Sequence, residues 1–431
     1  SLVSVRTFEL ATPTVQFESS DSSKSVQFPE TVMPFNVEPT AQFRIESTVE
    51  SPRLFGLRAP EETTHELQVY QYGEIDPERE TFIVSMGRGQ SAAYAELWVR
   101  ENQDRYNIFV YDQPYQGAST PVPTSEDELR YGHIEDFEHY PQHLDNVVTE
   151  VTARMREAGI PEDQRPHLFG HSLGGWTVKR YNQIEEYRDR VETVHTSAHM
   201  AKIEVRADIV RRYLGEDAQL PNGLAWAYNA VSGGFNLRGG YENPVNDPAR
   251  AFETRSTRPW SQTTAPEHTA SVYDVERADY TLRTDRPTIG WTNAAMGAAL
   301  ALHLPWRETY APEFHIIPTH DVISDPNYMR LSAQSAEHGA YVAMEDMLHD
   351  GFMWPAEQVR RYSELQYAFV QDPDSMRGDQ THGIQNDTED RAGLREYWET
   401  FSPFNGGDHR QRHAEARAIQ EEARRRWEGG N

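Results

Sequence analysis

The stretch His167-Leu168-Phe169-Gly170-His171-Ser172-Leu173-Gly174-Gly175-Trp176 decides how the rest of the chain is read. An apolar run stops at Gly170, presents one serine, and passes into a helix-compatible segment from Trp176 to Tyr187. Gly-x-Ser-x-Gly at a strand-to-helix turn is the nucleophile-elbow pattern. The turn is tight, so the serine backbone must adopt a strained conformation. Glycine at 170 and 174 avoids the clashes that larger side chains would make. The following helix aims its free amides and positive dipole end at whatever the Ser172 hydroxyl attacks. By chance alone the pentapeptide arises in roughly one chain of this length in seven. The flanking elements therefore carry the reading, against the alternative of an ordinary surface serine in a glycine-rich turn.

Upstream, Glu80–Ser85 has a continuous apolar centre and ends in Met86-Gly87-Arg88-Gly89. A helix is predicted from Ala92 to Asp104, a second buried strand over Tyr106–Tyr111, and a helix from Glu138 to Ala158. Downstream of the elbow, Val191–Thr196 is the next strand. Continuous apolar strands are covered on both faces. Their alternation with helices predicts an α/β fold, a mostly parallel sheet flanked by helices. Ala41–Glu50 and Glu66–Tyr72 alternate in polarity and predict an antiparallel start to the sheet. Such sheets bind ligands beyond the carboxyl ends of their strands. The loops Met86–Gly89 and Asp112–Gly117 and the serine Ser172 are therefore expected on one rim.

Five segments follow from this pattern. Residues 1–40 form a polar N-terminal arm, and residues 41–198 the first part of the core. Residues 199–304 interrupt the rhythm with glycine and proline clusters, helix-like pieces (Ile203–Leu214, Leu224–Val231) and the aromatics Trp226, Tyr228, Phe235, Tyr241, Trp260 and Trp291. An insertion at that point reads as a helical cap or lid. Residues 305–371 resume the core with a strand (Glu313–Pro318), a helix (Asn327–His338), a strand (Ala340–Glu345) and a helix (Pro355–Val370). Residues 372–431 are a charged extension whose end, His413–Trp427, reads as a helix packed along the domain or a solvated tail.

A serine hydroxyl is a weak nucleophile and needs a base beside it. A histidine can take the proton, and a carboxylate can fix the tautomer of that histidine. On this scaffold the chain order is Ser, then acid, then His. Ser172, Asp321 and His349 offer that order at strand ends. Asp325 is the rival acid, although its place before Pro326 suits a helix N-cap. His320 and His338 are the rival bases. The oxyanion of acyl transfer needs backbone donors, for which the Leu173 and Arg88 amides are the candidates; the alternative for Gly87-Arg88-Gly89 is a plain loop.

Composition removes several classes. The net charge of −27 leaves no basic face for nucleic acid. The absence of cysteine excludes disulfides and thiol chemistry. The three lysines are Lys24, Lys179 and Lys202, the remaining basic residues being arginine. An acidic, lysine-poor surface suits high salt; drift in a GC-rich genome gives the same bias. Constant activity from low to molar salt would count against adaptation. No apolar run spans a bilayer, Met296–Leu304 being the greasiest. No signal peptide is evident, and a cytoplasmic or peripheral inner-membrane location is expected over secretion. Neither cofactor nor metal is expected. His139 and His143 have ligand-like spacing but no convergent carboxylates, and are expected on a solvated helix face.

Together these motifs resemble the α/β-hydrolase branch that holds monoacylglycerol lipases and bacterial lysophospholipases. The resemblance runs from about Ala41 to Val370. Met86-Gly87-Arg88-Gly89-Gln90-Ser91 is similar to the family's oxyanion loop, with Gly-Arg as in bacterial lysophospholipases. Asp112-Gln113-Pro114-Tyr115-Gln116-Gly117-Ala118-Ser119 is similar to its Asp-x-x-Gly-x-Gly-x-Ser turn, with Tyr115 in place of the first glycine. The stretch from His133 through Phe137 to Tyr140 matches a His-x-x-x-Phe-x-x-Tyr run, and Gly170–Gly175 matches the elbow. The resemblance implies the α/β-hydrolase fold, Ser172 as nucleophile, Asp321 as acid, His349 as base, and a helical cap forming an acyl channel. Trp226, Tyr228 and Trp291 are candidates to line that channel, and core packing explains them equally well. The implied activity is hydrolysis of a small-molecule acyl ester through an acyl-enzyme, with a monoacylglycerol or lysophospholipid as substrate. The cap is a candidate for peripheral membrane contact. Alternatives on the same scaffold are an aminopeptidase, a thioesterase, an acyltransferase, or an inactive binding module.

Overall fold

A computed structural model describes residues 37–50, 62–126, 128, 130–134, 136–202, 258–285, 287–303, 307–336, 338–374, 384–385 and 406–430. The N-terminal 36 residues, the expected cap helices at 203–214 and 224–231, and the aromatics Trp226, Tyr228, Phe235 and Tyr241 lie outside that set.

Nine strands, among the described residues, make one sheet: β1 (Ala41–Glu50), β2 (Glu62–Tyr72), β3 (Glu80–Ser85), β4 (Tyr106–Tyr111), β5 (His167–His171), β6 (Val194–Ser197), β7 (Glu313–Pro318), β8 (Gly339–Met344) and β9 (Ile384–Gln385). Their spatial order is β1-β2-β4-β3-β5-β6-β7-β8-β9. β1 and β2 are antiparallel, with Ala41 opposite Gln71, as the alternating pattern predicts. β4, β3, β5, β6, β7 and β8 run parallel. The helices between them are α1 (Glu96–Asn102), α2 (His139–Glu157), α3 (Leu173–Tyr181), α4 (Pro266–Ala278), α5 (Ile289–Ala301), α6 (Pro326–Ser335) and α7 (Ala356–Gln371), followed by α8 (Gly406–Gly430).

The side-chain period of two divides each central strand between two cores. Phe82 and Val84 face a cluster with Trp98, Phe169, Phe314, Val342 and Tyr362. Ile83 faces the opposite cluster with Phe109, Leu144, Val147, Leu168 and Val178. A sheet covered on both faces needs apolar residues at successive positions, which is why these strands read as unbroken runs.

The expectation of a solvated face at His139 and His143 is corrected by the structure. Both side chains are buried, because α2 packs along β1. His143 Nδ1 and Ser47 Oγ lie 2.7 Å apart. Burial, with smaller contributions from His65 and His139, holds the His143 pKa well below its ordinary value.

Of the scarce lysines, Lys179 and Lys202 lie among the described residues, and both are paired with carboxylates. Lys179 on α3 is fully buried and donates to Glu313 Oε2 at 2.5 Å. His315 Nε2 lies 2.9 Å from the same oxygen, and Asn182 Nδ2 donates to Glu313 Oε1 at 2.9 Å. Burial alone would raise the Glu313 carboxyl; Lys179 and His315 overcome it and pull the pKa down to about 2. Removing one member of a buried ion pair leaves the other charge uncompensated. Lys179→Met is therefore expected to lower the unfolding free energy by about 3–5 kcal/mol. Chemical denaturation checks this, and adding Glu313→Gln should restore part of the loss.

Candidate active site

The elbow sits where β5 ends and α3 begins. Ser172 has φ 52° and ψ −113°, a conformation that non-glycine residues rarely adopt. Three backbone bonds hold it: the Ser172 amide donates to Ser197 O at 2.9 Å, and the Trp176 and Met200 amides both donate to Ser172 O at 3.0 Å. The glycines have a direct steric reason. A Cβ on Gly170 would stand 2.2 Å from the Gly174 carbonyl oxygen, and one on Gly174 would stand 2.0 Å from the Ser85 carbonyl oxygen. Helix α3 thus starts pressed against the end of β3. Leu173 is its first residue, so the Leu173 N–H has no acceptor within the helix.

The loop after β7 carries Asp321, which is buried. Asp321 Oδ1 accepts the Ile323 and Ser324 amides at 2.7 and 3.0 Å. The loop after β8 carries His349. With the imidazole neutral and protonated on Nδ1, that atom donates to Asp321 Oδ2 at 2.7 Å. Nε2 then accepts from the Ser172 hydroxyl at 2.9 Å. The three side chains form one hydrogen-bonded line across the carboxyl ends of β5, β7 and β8.

The rival residues are placed elsewhere. Asp325 caps α6 by accepting the Asn327 amide at 3.1 Å, and its other oxygen faces Lys202 Nζ at 3.3 Å. His338 is exposed and precedes β8, at the opposite end of the sheet from Ser172. His320 Nε2 lies 3.1 Å from Glu415 Oε2.

Burial opposes charge on His349, yet Asp321, by its charge and hydrogen bond, and then Asp350 leave its pKa above the ordinary 6.5. Were His349 the base of a reaction, it would have to be neutral to take a proton, and kcat/KM would rise with pH along a limb whose midpoint lies above the ordinary imidazole value. Asp321→Asn should move that midpoint downward, because burial then dominates. By linkage, protonated His349 stabilises the fold below the ordinary imidazole pKa, and the contribution disappears as pH rises through the shifted value. A pH–rate profile checks the limb.

The loop after β3 faces the elbow. The Gly87 amide donates to Gln90 Oε1 at 3.0 Å, and the Gly89 amide donates to Gln116 Oε1. Gln90 Nε2 donates to Asp350 Oδ1 at 3.1 Å, tying this loop to the loop of His349. The Arg88 side chain leaves the site: it donates to the carbonyls of Asp285 and Tyr131 at 3.0 and 2.8 Å and stacks 4.8 Å over Trp291. Beneath lies the Asp112 turn. Asp112 accepts the Ala92 and Ala118 amides at 2.6 and 2.8 Å. Burial nevertheless pushes its carboxyl up to about 6. Gly117 is required there, since a Cβ would overlap the Asp112 carboxylate at 2.0 Å. Tyr115, which replaces a glycine of the related motif, keeps a glycine-like φ of 63°.

Trp291 is buried in a cluster with Phe137, Tyr140, Leu173, Trp176 and Met200, and its Nε1 donates to Tyr140 Oη at 3.0 Å. Among the described residues the one metal-ligand-like group is His171, His349 and Asp350. His349 already directs both ring nitrogens at Ser172 and Asp321, so a metal there would have to displace one of them. Among the described residues no helix is long and apolar enough to cross a membrane. Nothing in the sequence assigns Gln90, Gln116 or Asp350 a role of its own. Their neighbours on motif loops were the available signal.

Residues 87–408 match the alpha/beta hydrolase family, and the chain belongs to that family. No curated protein sequence matches it. Among solved structures it is similar to a soluble variant of monoglyceride lipase from Saccharomyces cerevisiae in complex with a substrate analogue. The two are 11% identical, with a TM-score of 0.52, and the match covers 80% of this chain and 98% of that one. It is also similar to the Paleococcus ferrophilus monoacylglycerol lipase, at 19% identity and a TM-score of 0.48, covering 72% of this chain and 98% of the other. The enol-lactonase of Burkholderia xenovorans is 17% identical, with a TM-score of 0.45 and coverages of 72% and 97%.

Proposed function

We propose that this protein is a serine hydrolase that cleaves carboxylic acyl esters, with Ser172 as nucleophile, His349 as base and Asp321 as orienting acid. The observation that carries the reading is the hydrogen-bonded line from Ser172 Oγ to His349 Nε2 and from His349 Nδ1 to Asp321. His349 takes the hydroxyl proton as Ser172 Oγ attacks the ester carbonyl carbon. The Leu173 and Arg88 amides stabilise the oxyanion. The tetrahedral species collapses as His349 returns the proton to the leaving alcohol, leaving an acyl-serine. Water, deprotonated by the same imidazole, then releases the acid and restores Ser172.

The substrate class we propose is a monoacylglycerol or lysophospholipid. The oxyanion-loop and turn motifs support it, as does the inserted segment, whose α5 places Trp291 in the cluster that contains Leu173. Trp226, Tyr228 and Trp291 are proposed to line the acyl site.

A fluorophosphonate probe is expected to label Ser172 in the folded protein, and nitrophenyl esters of increasing chain length should be turned over alongside monoolein and lysophosphatidylcholine. Intact protein that takes up no label, with no ester turned over, would replace this reading with a binding module.

A further inference from the structure

Helix α8 runs almost wholly beyond the residues that match the family, 87–408, yet it touches the loop of Asp321 and the segment behind the loop of His349. Arg412 and His413 are buried, as are Ala416 and Ala423 two turns apart. The helix packs on α4 and on the turn at Pro259–Ser261.

One set of contacts grips the acid loop at both ends. Arg412 Nη1 lies 3.4 Å from Asp325 Oδ1, with about a tenth or less of either side chain exposed. Glu415 Oε2 faces His320 Nε2 at 3.1 Å. His320 and Asp325 bracket Asp321 and the two amides, Ile323 and Ser324, that orient its carboxylate. A second set grips the segment behind the base loop. Gln420 Nε2 donates to Ser261 O at 2.6 Å, and Arg426 Nη2 donates to Thr264 O at 3.3 Å. From the same segment, Gln262 O accepts the Asp350 amide at 2.9 Å, one residue after His349.

We propose that α8 is a clamp that positions the catalytic pair, with Arg412 and Glu415 as positioning residues that act through the acid loop. The proposal rests on the serine-hydrolase reading above. A solvated tail would need neither a buried arginine nor bonds to two separate loops. An exposed ion pair contributes little, but a pair this far from water is weakly screened, and its loss leaves Asp325 with a changed set of partners. The loop then relaxes, and Asp321 turns with it. Displacements of about 1 Å at a reacting group cost on the order of a hundredfold in rate.

The test compares full-length Arg412→Met, Arg412→Lys, Glu415→Gln and, on the exposed side of the helix, Glu422→Gln. Two quantities are read: kcat and KM on a nitrophenyl ester, and the downfield NMR resonance of the His349 Nδ1 proton. Arg412→Met is expected to lower kcat by roughly tenfold or more with KM within about twofold, and to shift or broaden the resonance. Arg412→Lys should restore part of both, Glu415→Gln should show a smaller effect in the same direction, and Glu422→Gln should match the parent. If Arg412→Met does not fold, Glu415→Gln and Arg412→Lys carry the comparison. Unchanged kcat and resonance in folded variants would overturn the clamp. So would activity that falls only with the amount of folded protein while the resonance stays in place. A parent protein inert toward esters would refute the hydrolase reading instead, and the resonance would still test the clamp.

Discussion

Ser172→Ala is expected to abolish ester turnover, with kcat falling by roughly 10⁵- to 10⁶-fold and fluorophosphonate labelling lost. The size of the effect follows from the geometry. Ser172 Oγ is the only group placed 2.9 Å from His349 Nε2 among the described residues, and its backbone strain serves to present that oxygen. The fold should tolerate the change. The three backbone bonds that hold the elbow come from main-chain groups, and alanine keeps the Cβ that the turn already accommodates. Circular dichroism and a melting curve close to those of the parent, together with single-turnover kinetics near background, would show that the loss is chemical. Retained turnover would require a different nucleophile and would end the proposed mechanism.

Asp321→Asn is expected to reduce kcat by about 10⁴-fold while leaving the fold in place. An asparagine amide at that position can donate to His349 Nδ1, and the imidazole then presents its proton, not its lone pair, to Ser172. The Ile323 and Ser324 amides still find the side-chain oxygen, so the loop keeps its shape. Asp325→Asn is the informative partner. It removes the charge that faces Lys202 and Arg412 but keeps a helix N-cap, so it should lower stability and cost kcat about as much as Arg412→Met, far less than Asp321→Asn. If the two results were exchanged, the acid would be Asp325.

These expectations share a feature of the site: each reacting group is on a different loop, and each loop is held by residues that do no chemistry. Gln90 joins the loop of Arg88 to that of His349 through Asp350. Arg88, whose amide is a proposed oxyanion donor, anchors its side chain on Asp285, Tyr131 and Trp291.

Residues 167–176 determined the elbow by themselves, because its demands are local. A strand must end, a serine must take a positive φ, and the Gly174 carbonyl oxygen passes within 2.2 Å of where a Cβ would be at Gly170; only the crowding at Gly174, from the Ser85 carbonyl of β3, waits for the sheet. The parallel core was legible for the same reason, since unbroken apolar strands have no other stable place. Even the N-cap role of Asp325 could be read from its proline neighbour. Tertiary structure alone decided the rest. His143 reads as a solvated helix position until β1 brings Ser47, 96 positions away, against it. Lys179 and Glu313 meet across 134 positions, and Ser172 and His349 across 177. The hold of α8 on the acid loop has no trace in either segment. Sequence patterns record what a residue needs from its chain neighbours; which distant side chain supplies a missing charge or hydrogen bond is fixed only when the sheet has assembled and water has been excluded from between them.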